Sequence, residues 1–214
     1  MQSGLASCSF AGVRVRRKLG QSLIVVGAFL LSFAGARYAH GALRQDAARR
    51  AWEAAQAQSA FAVANSRIDS EAFGRPWGIG SPIARITIPV LGLDEIVMEG
   101  VGSEELNAGP GHLPGSALPG EQGNAVISAH RDRHFSSLGS LQVGDEITTE
   151  TAPARRLKWI VISRRVVRSS EAALFSTPDP TLTLTTCWPI RYVGTAPERL
   201  IITAKPVGWG GGSG

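Results

Sequence analysis

Cys187, one of two cysteines, lies at the end of a predicted β-strand and is the first candidate for a chemical role. The segment TLTLTTC alternates so that Leu182, Leu184 and Thr186 share one face and Cys187 lies on the other. Pro189 follows closely and cannot continue a central strand, so the thiol is expected beside a loop. A thiol placed there can act as a nucleophile. The alternative is a small buried hydrophobic residue, which is the commoner role of a free cysteine.

A nucleophilic thiol needs an acid–base partner, and histidine supplies one most often. His130 ends the predicted strand AVISAH, so a β-barrel could bring it to Cys187. His134 is the alternative base, whereas His112 lies in the loop GPGHLPG, where a structural role is expected. A zinc site formed by His130, His134 and Cys187 is disfavoured, because the sequence offers neither a fourth ligand nor the usual ligand spacing. The sequence predicts no metal and no cofactor.

A guanidinium could stabilise the negative charge that develops on oxygen during acyl transfer. Arg199 begins the predicted strand RLIITA, twelve residues after Cys187, and two strands joined by such a loop can be neighbours. Arg191 lies in the loop itself and is the alternative cation. A surface ion pair with Glu198 or Glu171 is the non-catalytic alternative for Arg199. The sequence therefore predicts that Arg199 lies beside Cys187.

Short β-rich segments separated by turns follow Pro82 and must position these side chains. The predicted strands are Ala84–Val90, Glu95–Val101, Ala125–His130, residues 147–151, Leu157–Val167, Thr181–Cys187 and Arg199–Ala204. Asn107–Gly123 is predicted to be a long loop, and Glu171–Phe175 a short helical turn. About seven strands spaced by turns indicate a mainly all-β domain, either a barrel or a sandwich. The basic residues that flank one strand are expected on a solvated face; they are Arg155, Arg156, Lys158, Arg164, Arg165 and Arg168.

The N-terminal part of the chain predicts a membrane anchor. Residues 19–36 are uncharged and mostly apolar, and a helix of that length reaches roughly 27 Å, close to the thickness of a hydrocarbon core. A basic segment precedes them, which predicts a cytoplasmic N-terminus and an extracytoplasmic remainder. The alternatives are a cleaved signal peptide and a buried core helix. Cys8 matches a short lipoprotein pattern but has too few residues before it, so it is interpreted as incidental.

Charge and composition exclude other classes of protein. The hydrophobic fraction of 43% and the charged fraction of 18% suit a folded domain and not a disordered chain. The first 20 residues carry four of the five net positive charges, which indicates membrane topology and argues against nucleic-acid binding.

The expected organisation has five parts. They are a basic leader at 1–18, a transmembrane signal-anchor at 19–36, a juxtamembrane helix and linker at 37–75, a β-domain at 76–207 and a flexible glycine-rich tail at 208–214. In the juxtamembrane helix, Leu43, Ala47 and Ala51 recur at helical spacing, and Trp52 is a large apolar side chain. A spacer or stalk is favoured for this helix over a partner-binding role.

The candidate residues also resemble a known family. The segment TLTTC ending at Cys187 resembles the Thr-Leu-any-Thr-Cys motif of sortases, and His130 followed by RDRHF resembles their histidine segment. Arg199 before a hydrophobic strand resembles the sortase arginine, and the order His, Cys, Arg is the same. GPGHLPG and the Pro76-Trp77 segment are similar to class D sortases and the related group from Gram-negative bacteria. The resemblance covers about residues 76–207.

The resemblance implies an eight-stranded sortase β-barrel and a membrane-anchored cysteine transpeptidase. By this analogy Cys187 attacks a Leu-Pro-any-Thr-Gly-like or Leu-Pro-any-Thr-Ala-like sorting signal and forms a thioacyl enzyme. His130 protonates the leaving amine, Arg199 holds the substrate and the oxyanion, and Thr186 assists. The implied partners are a secreted protein that bears the signal and an amine acceptor, such as peptidoglycan or a pilin. A papain-like peptidase is disfavoured because its cysteine precedes its histidine, and a non-enzymatic, membrane-anchored β-domain is the alternative.

Overall fold

A computed structural model describes the backbone of residues 9–64, 78–151, 155–171 and 177–208, and the side chains of the same ranges except for 9–19 and 58–64. Cys8, the Pro76-Trp77 segment, residues 172–175 of the predicted helical turn and the tail after 208 lie outside these ranges. The chain divides into two compact units, Met1–Ala42 and Leu43–Gly214, which are considered in turn.

The first unit contains the beginning of helix α1, which spans Ser9–Ala64. Its large apolar side chains are exposed, with 69% of Phe29 and 75% of Leu31 accessible. Among the described residues, the segment Gly20–Ala57 is long and apolar enough to cross a membrane, with a mean hydropathy of 1.6 in its most apolar window. The helix covers the predicted anchor at 19–36, and its exposed apolar surface fits a lipid environment.

The second unit contains the predicted β-domain, and its described strands form a closed barrel. The strands are β1 Pro82–Ile88, β2 Leu93–Glu99, β3 Gly111–His112, β4 Asn124–Ser128, β5 Glu146–Thr151, β6 Arg155–Arg168, β7 Thr181–Trp188 and β8 Glu198–Pro206. Their order around the barrel is β1-β2-β3-β4-β7-β8-β6-β5, and β5 pairs with β1 to close it. Helix α2 is Ser103–Ala108, and short 3-10 helices occur at Pro89–Leu91, Leu138–Ser140 and Ser169–Glu171. The eight-stranded barrel implied by the resemblance is confirmed.

Several details of the predicted strands are wrong, including the second strand, which ends at Glu99 and not at Val101. Strand β1 ends at Ile88, because Pro89 begins a 3-10 turn and has no N–H to donate to a neighbouring strand. Strand β4 ends at Ser128, so His130 lies two residues beyond the strand. The predicted loop 107–123 contains β3, whose two residues are too few to show any periodicity in the sequence.

The barrel interior is filled by the apolar face of each strand. Leu182 and Leu184 of β7 are fully buried in the core cluster, as the alternation of TLTLTTC predicts. Trp159 of β6 is also fully buried, and its indole N–H donates a hydrogen bond of 2.7 Å to the Thr149 hydroxyl. Cys187 lies on the opposite face of β7, where Thr181, Thr183 and Thr185 are also buried, and is itself half-buried near the end of the strand.

The juxtamembrane part of helix α1 packs against the barrel, so its interpretation as a spacer is wrong. Trp52, 3% exposed, and Ala48 form a buried cluster with Ile96 and Met98 of β2 and with Ala108 of α2. The buried face also differs from the predicted one, because Leu43 is 64% exposed whereas the polar Gln45 is 8% exposed.

Polar contacts hold the same helix to strand β2. Arg49 donates to the backbone oxygen of Asp94 at 2.8 Å, and Arg85 of β1 donates two hydrogen bonds, of 2.7 and 2.6 Å, to the Asp94 carboxylate. The hydrogen bonds from Arg85, with the nearby charge of Arg49, lower the pKa of Asp94. Gln45 donates to the carboxylate of Glu95 and to the Ile96 carbonyl. Residues 43–57 are therefore part of the folded domain.

Replacement of Trp52 by alanine is expected to lower the free energy of unfolding of the full chain by roughly 3 kcal/mol, because a fully packed indole leaves a cavity between helix and barrel. Urea titration of the chain in detergent micelles measures this change. Leu43→Ala is the control, since its exposed side chain should contribute less than about 0.5 kcal/mol. Equal effects of the two substitutions would contradict the docked helix.

Candidate active site

Strands β7 and β8 bring Cys187 and Arg199 together. The two strands are antiparallel, and their register places Cys187 directly opposite Arg199. The Nη1 atom of Arg199 donates a hydrogen bond of 3.0 Å to the Cys187 Sγ atom, and Cys187 is a free, half-buried thiol. A cation in contact with sulfur stabilises a thiolate more than a thiol. The geometry therefore agrees with the predicted pairing.

The register of β4 against β7 brings His130 to the same level. These strands are parallel, with Ser128 opposite Thr185, and the Ala129 N–H donates to the Thr185 carbonyl at 3.2 Å. His130 follows Ala129 just beyond the end of β4, and Cys187 follows Thr186 in β7, so both residues come directly after this last link between the strands. His130, Cys187 and Arg199 thus lie at the same end of the three neighbouring strands β4, β7 and β8.

Thr186 fixes the connection between the two strands. Its hydroxyl is buried and donates a hydrogen bond of 2.8 Å to the carbonyl of Ala129, the residue before His130. The bond thus connects Thr186, which precedes Cys187, to Ala129, which precedes His130. The side chain predicted to assist catalysis is therefore in a position to hold the histidine and the cysteine at a constant separation.

The surroundings of His130 favour its neutral form. Burial lowers the pKa of His130, the negative charge of Asp132 opposes this effect, and the positive charges of Arg133 and His134 add to it. The His130 ring makes no hydrogen bond to any residue that the structure describes. A half-buried imidazole that gains and loses its proton without breaking an internal hydrogen bond suits a general acid–base group.

Substitution of Asp132 by asparagine is expected to lower the pKa of His130 further, because it removes the negative charge that stabilises the imidazolium. Arg133→Gln should shift the pKa in the opposite direction, because it removes a positive charge. NMR titration of chain carrying ¹³C-labelled histidine measures both midpoints, and the signal that disappears in His130→Gln identifies the residue. Shifts of the same sign in the two variants would contradict this account of the site.

The two alternative candidates, His134 for the acid–base role and Arg191 for the cation, have other surroundings. The His134 Nδ1 atom is 3.2 Å from a carboxylate oxygen of Glu95 on β2, and His134 is mostly buried. Arg191 is exposed and forms no hydrogen bond to a described residue. In the described ranges, no group of three or more His, Cys, Asp or Glu residues could hold a metal ion. The geometry therefore favours His130 over His134 and Arg199 over Arg191.

His112 takes part in a buried network at the start of β4. Its Nε2 atom is 2.9 Å from the Ala117 carbonyl, which can only accept, so Nε2 carries a proton. Its Nδ1 atom is 2.6 Å from a carboxylate oxygen of Glu99. Ser116 has its Oγ atom 2.9 Å from Nε2 but donates to the Leu113 carbonyl at 2.7 Å, so the histidine cannot activate this hydroxyl as a base. The arrangement favours the structural role expected for His112.

A cavity of about 480 Å³ lies beside this network and away from the thiol. Its lining includes Leu113, Ser116 and Asn124, at the beginning of β4. Cys187 lies near the end of β7, which runs parallel to β4. The lining reaches along β4 as far as Val126, which is opposite Thr183, roughly 13 Å along β7 from Cys187 at 3.3 Å per residue. The cavity is therefore separate from the Cys187 site.

Arg164 was predicted to lie on a solvated face, and for this residue the prediction is wrong. Its guanidinium stands 5.5 Å from the ring centroid of Trp188, the residue after Cys187, and donates to the Gly139 carbonyl at 3.2 Å. Its Nε atom is buried. The guanidinium holds the Trp188 ring in place next to the nucleophile through cation–π attraction. Arg155, Arg156, Lys158, Arg165 and Arg168 are exposed, as predicted.

A half-buried thiol in contact with a guanidinium and level with an imidazole is equipped for nucleophilic acyl transfer. A family model of the sortase domain matches residues 86–207, which contain all of these groups. The chain belongs to the sortase family. The motifs that the sequence shares with sortases therefore reflect membership of the family, and the barrel is the sortase fold.

Individual sortases resemble this chain over most of the barrel. Sortase D of Bacillus subtilis (strain 168) is 32% identical over 124 residues, which make up 57% of this chain and 62% of that protein. The Sortase D5 transpeptidase of Clostridium perfringens is 25% identical, with a TM-score of 0.61, over 74% of this chain and 99% of that one. Sortase A from Corynebacterium diphtheriae is 29% identical, with a TM-score of 0.53, over 63% of each chain. The chain thus spans slightly less than two thirds of the Bacillus relative.

Proposed function

We propose that the protein is a membrane-anchored cysteine transpeptidase that acts on the sorting signal of a secreted protein. The contact between Arg199 and the Cys187 sulfur, at the end of two paired strands, is the observation that carries this proposal. Membership of the sortase family supports it, as does the relationship to the Clostridium enzyme described as a transpeptidase.

The acylation step begins at the Cys187 sulfur. The thiolate attacks the carbonyl carbon of the threonine in a Leu-Pro-any-Thr-Gly-like or Leu-Pro-any-Thr-Ala-like signal. The carbonyl electrons move to oxygen, and the Arg199 guanidinium, which already touches the sulfur, is close enough to stabilise that oxyanion. When the tetrahedral intermediate collapses, the carbon–nitrogen bond breaks and a thioester to Cys187 remains.

His130 moves the protons in both half-reactions. The imidazolium donates its proton to the nitrogen of the leaving peptide, which departs as a neutral amine. The resulting neutral imidazole then accepts a proton from the incoming amine as that amine attacks the thioester. The sulfur leaves as thiolate, and imidazolium and thiolate are both restored. The lowered pKa of His130 makes the neutral form easy to reach.

Thr186 acts on this chemistry through Ala129. Its hydroxyl bond to the Ala129 carbonyl keeps β4 and β7 in register where they deliver His130 and Cys187. We assign Thr186 a positioning role, because its hydroxyl is buried and directed to that carbonyl.

The cellular setting follows from the anchor. Helix α1 would hold the barrel on the extracytoplasmic side of the membrane, with the basic N-terminal residues in the cytoplasm. A secreted precursor emerging from the membrane and a surface amine, of peptidoglycan or a pilin, are the partners that this location offers. The non-enzymatic alternative requires an inert buried Cys187, whereas this cysteine is half-buried and touches a cation.

Product analysis tests the proposal. The full chain in detergent micelles is incubated with peptides ending in Leu-Pro-any-Thr-Gly or Leu-Pro-any-Thr-Ala sequences and with a short glycine peptide as the amine. The expected product joins the threonine carboxyl to the added amine, and its yield rises with amine concentration at the expense of the hydrolysed peptide. Intact substrates in every combination, with rapid alkylation of Cys187 in the same preparation, would contradict the proposed substrate class.

A further inference from the structure

The guanidinium of Arg131 is bonded to the loop that joins Cys187 to Arg199. Its Nη2 atom donates to the carbonyls of Tyr192 and Gly194, both at 2.9 Å, and its Nη1 atom donates to the Pro189 carbonyl at 3.3 Å. The guanidinium carbon also lies 5.6 Å from the centroid of the Tyr192 ring. The Arg131 side chain thus contacts residues 189–194 at three backbone carbonyls and at the ring of Tyr192.

This segment has few other attachments. Pro189 and Ile190 are half-buried, but the side chains that follow are turned to solvent, with Val193 98% exposed and Tyr192 47% exposed. Among the described residues, the hydrogen bonds that hold residues 189–194 come from Arg131. The next attachment along the chain is at Ala196 and Pro197, whose carbonyls accept from Ser169. The exposed residues 191–194 therefore depend on Arg131 for their hydrogen bonds to the rest of the described structure.

We infer that Arg131 is a positioning residue for acyl transfer, holding residues 189–194 against the turn that carries His130. This inference rests on the proposed function. His130 precedes Arg131 in the chain, Cys187 lies just before the held segment, and Arg199 begins the strand after it. The guanidinium therefore links, across one loop, the elements that deliver the imidazole, the thiol and the cation.

The geometry explains why an arginine suits this place. Three carbonyl oxygens on different residues require several hydrogen-bond donors that point in different, fixed directions. A planar guanidinium provides five such N–H groups in one plane. The guanidinium carbon also stands over the Tyr192 ring. A lysine ammonium has three donors and no plane, so it can restore part of the attachment. An alanine restores none, and the segment and the His130 turn then move independently.

Limited trypsin digestion of the full chain in detergent micelles tests the attachment without any enzyme activity. Trypsin can cut after Arg191, an exposed residue inside the held segment. Arg131→Ala is expected to raise the rate of cleavage between Arg191 and Tyr192 at least about tenfold, because cleavage of a native loop follows its opening. Arg133→Ala is the matched control, since Arg133 lies in the same turn but donates at 2.9 Å to Asn107.

Acylation kinetics with a sorting peptide test the positioning. Arg131→Ala is expected to lower kcat/KM at least about tenfold, mostly through kcat, because misplaced reacting groups slow the chemical step more than binding. Arg131→Lys should recover part of the loss, and Arg191→Gln, in the same loop, should stay within about threefold of the unsubstituted chain. An unchanged thermal midpoint separates this effect from unfolding.

The trypsin cleavage rate and the kcat/KM of acylation together decide the inference. Faster cleavage together with slower acylation, partly rescued by lysine, supports the inference. An unchanged cleavage rate overturns it, whatever the activity, and so does faster cleavage with unchanged kcat/KM. If the unsubstituted chain acylates no sorting peptide, the proposed function fails, while the cleavage rate still decides whether Arg131 holds the segment.

Discussion

Replacement of Cys187 by alanine is expected to lower kcat/KM for a sorting peptide by at least about 10⁴-fold, because it removes the atom that forms the thioester. The barrel should remain folded. The thiol is half-buried at a strand end, outside the core cluster, so the free energy of unfolding should change by less than about 1 kcal/mol. Peptide turnover and thermal unfolding followed by circular dichroism measure the two quantities.

A serine at the same position separates chemistry from packing. Cys187→Ser keeps a side chain of nearly the same shape but replaces the thiol with a hydroxyl, which ionises far less readily and is a weaker nucleophile. It should be as inactive as the alanine variant and equally folded. Turnover at the unsubstituted rate in either variant would exclude Cys187 as the nucleophile.

Replacement of His130 by glutamine is expected to lower kcat/KM by about 10²- to 10⁴-fold, the usual contribution of a general acid–base group. Glutamine can donate a hydrogen bond but cannot deliver a proton to the leaving amine. His130 follows the end of β4 that lies alongside the Cys187 end of β7, so the loss should appear in the acylation step. Single-turnover kinetics with a sorting peptide measure it.

His134→Gln is the matched control for His130, because both residues lie in the same turn and both lose an imidazole. His134 pairs with Glu95 of β2, so its removal should cost less than about tenfold in kcat/KM. The reverse ranking of the two variants would transfer the acid–base role to His134.

Periodicity and turn residues were sufficient to predict most of the barrel. Strand β7 is an example. Its alternation places Leu182 and Leu184 in the core and Cys187 on the other face. Pro189 then terminates the strand. The loop length then made Arg199 a neighbour of the thiol, and the register agrees. Such features are local, so they can be predicted from the sequence alone.

Contacts between side chains and backbone carbonyls could not be predicted from the sequence. Arg131 and Arg164 bind backbone carbonyls that are distant in the sequence, in a loop and in a 3-10 helix, and any residue at those positions presents the same carbonyl. Nothing in the sequence therefore distinguished Arg164 from its exposed neighbours on β6.

The face of helix α1 that packs against the barrel was also not predicted from the sequence. An alanine-rich helix has a small apolar difference between its faces, so the face that packs is chosen by the surface it meets. Here Trp52 fits between β2 and α2, and the partners of Gln45 at Glu95 and Ile96 allow a polar residue to be buried while Leu43 stays exposed.

The intact mass of the full chain during reaction with a sorting peptide tests the central claim most directly. A rapid quench in acid should reveal an adduct equal in mass to the peptide up to its threonine, attached at Cys187, lost in Cys187→Ala and discharged when an amine is added. An adduct of that mass on any other residue, or amine-linked product formed by the Cys187→Ala chain, would contradict acyl transfer through this sulfur.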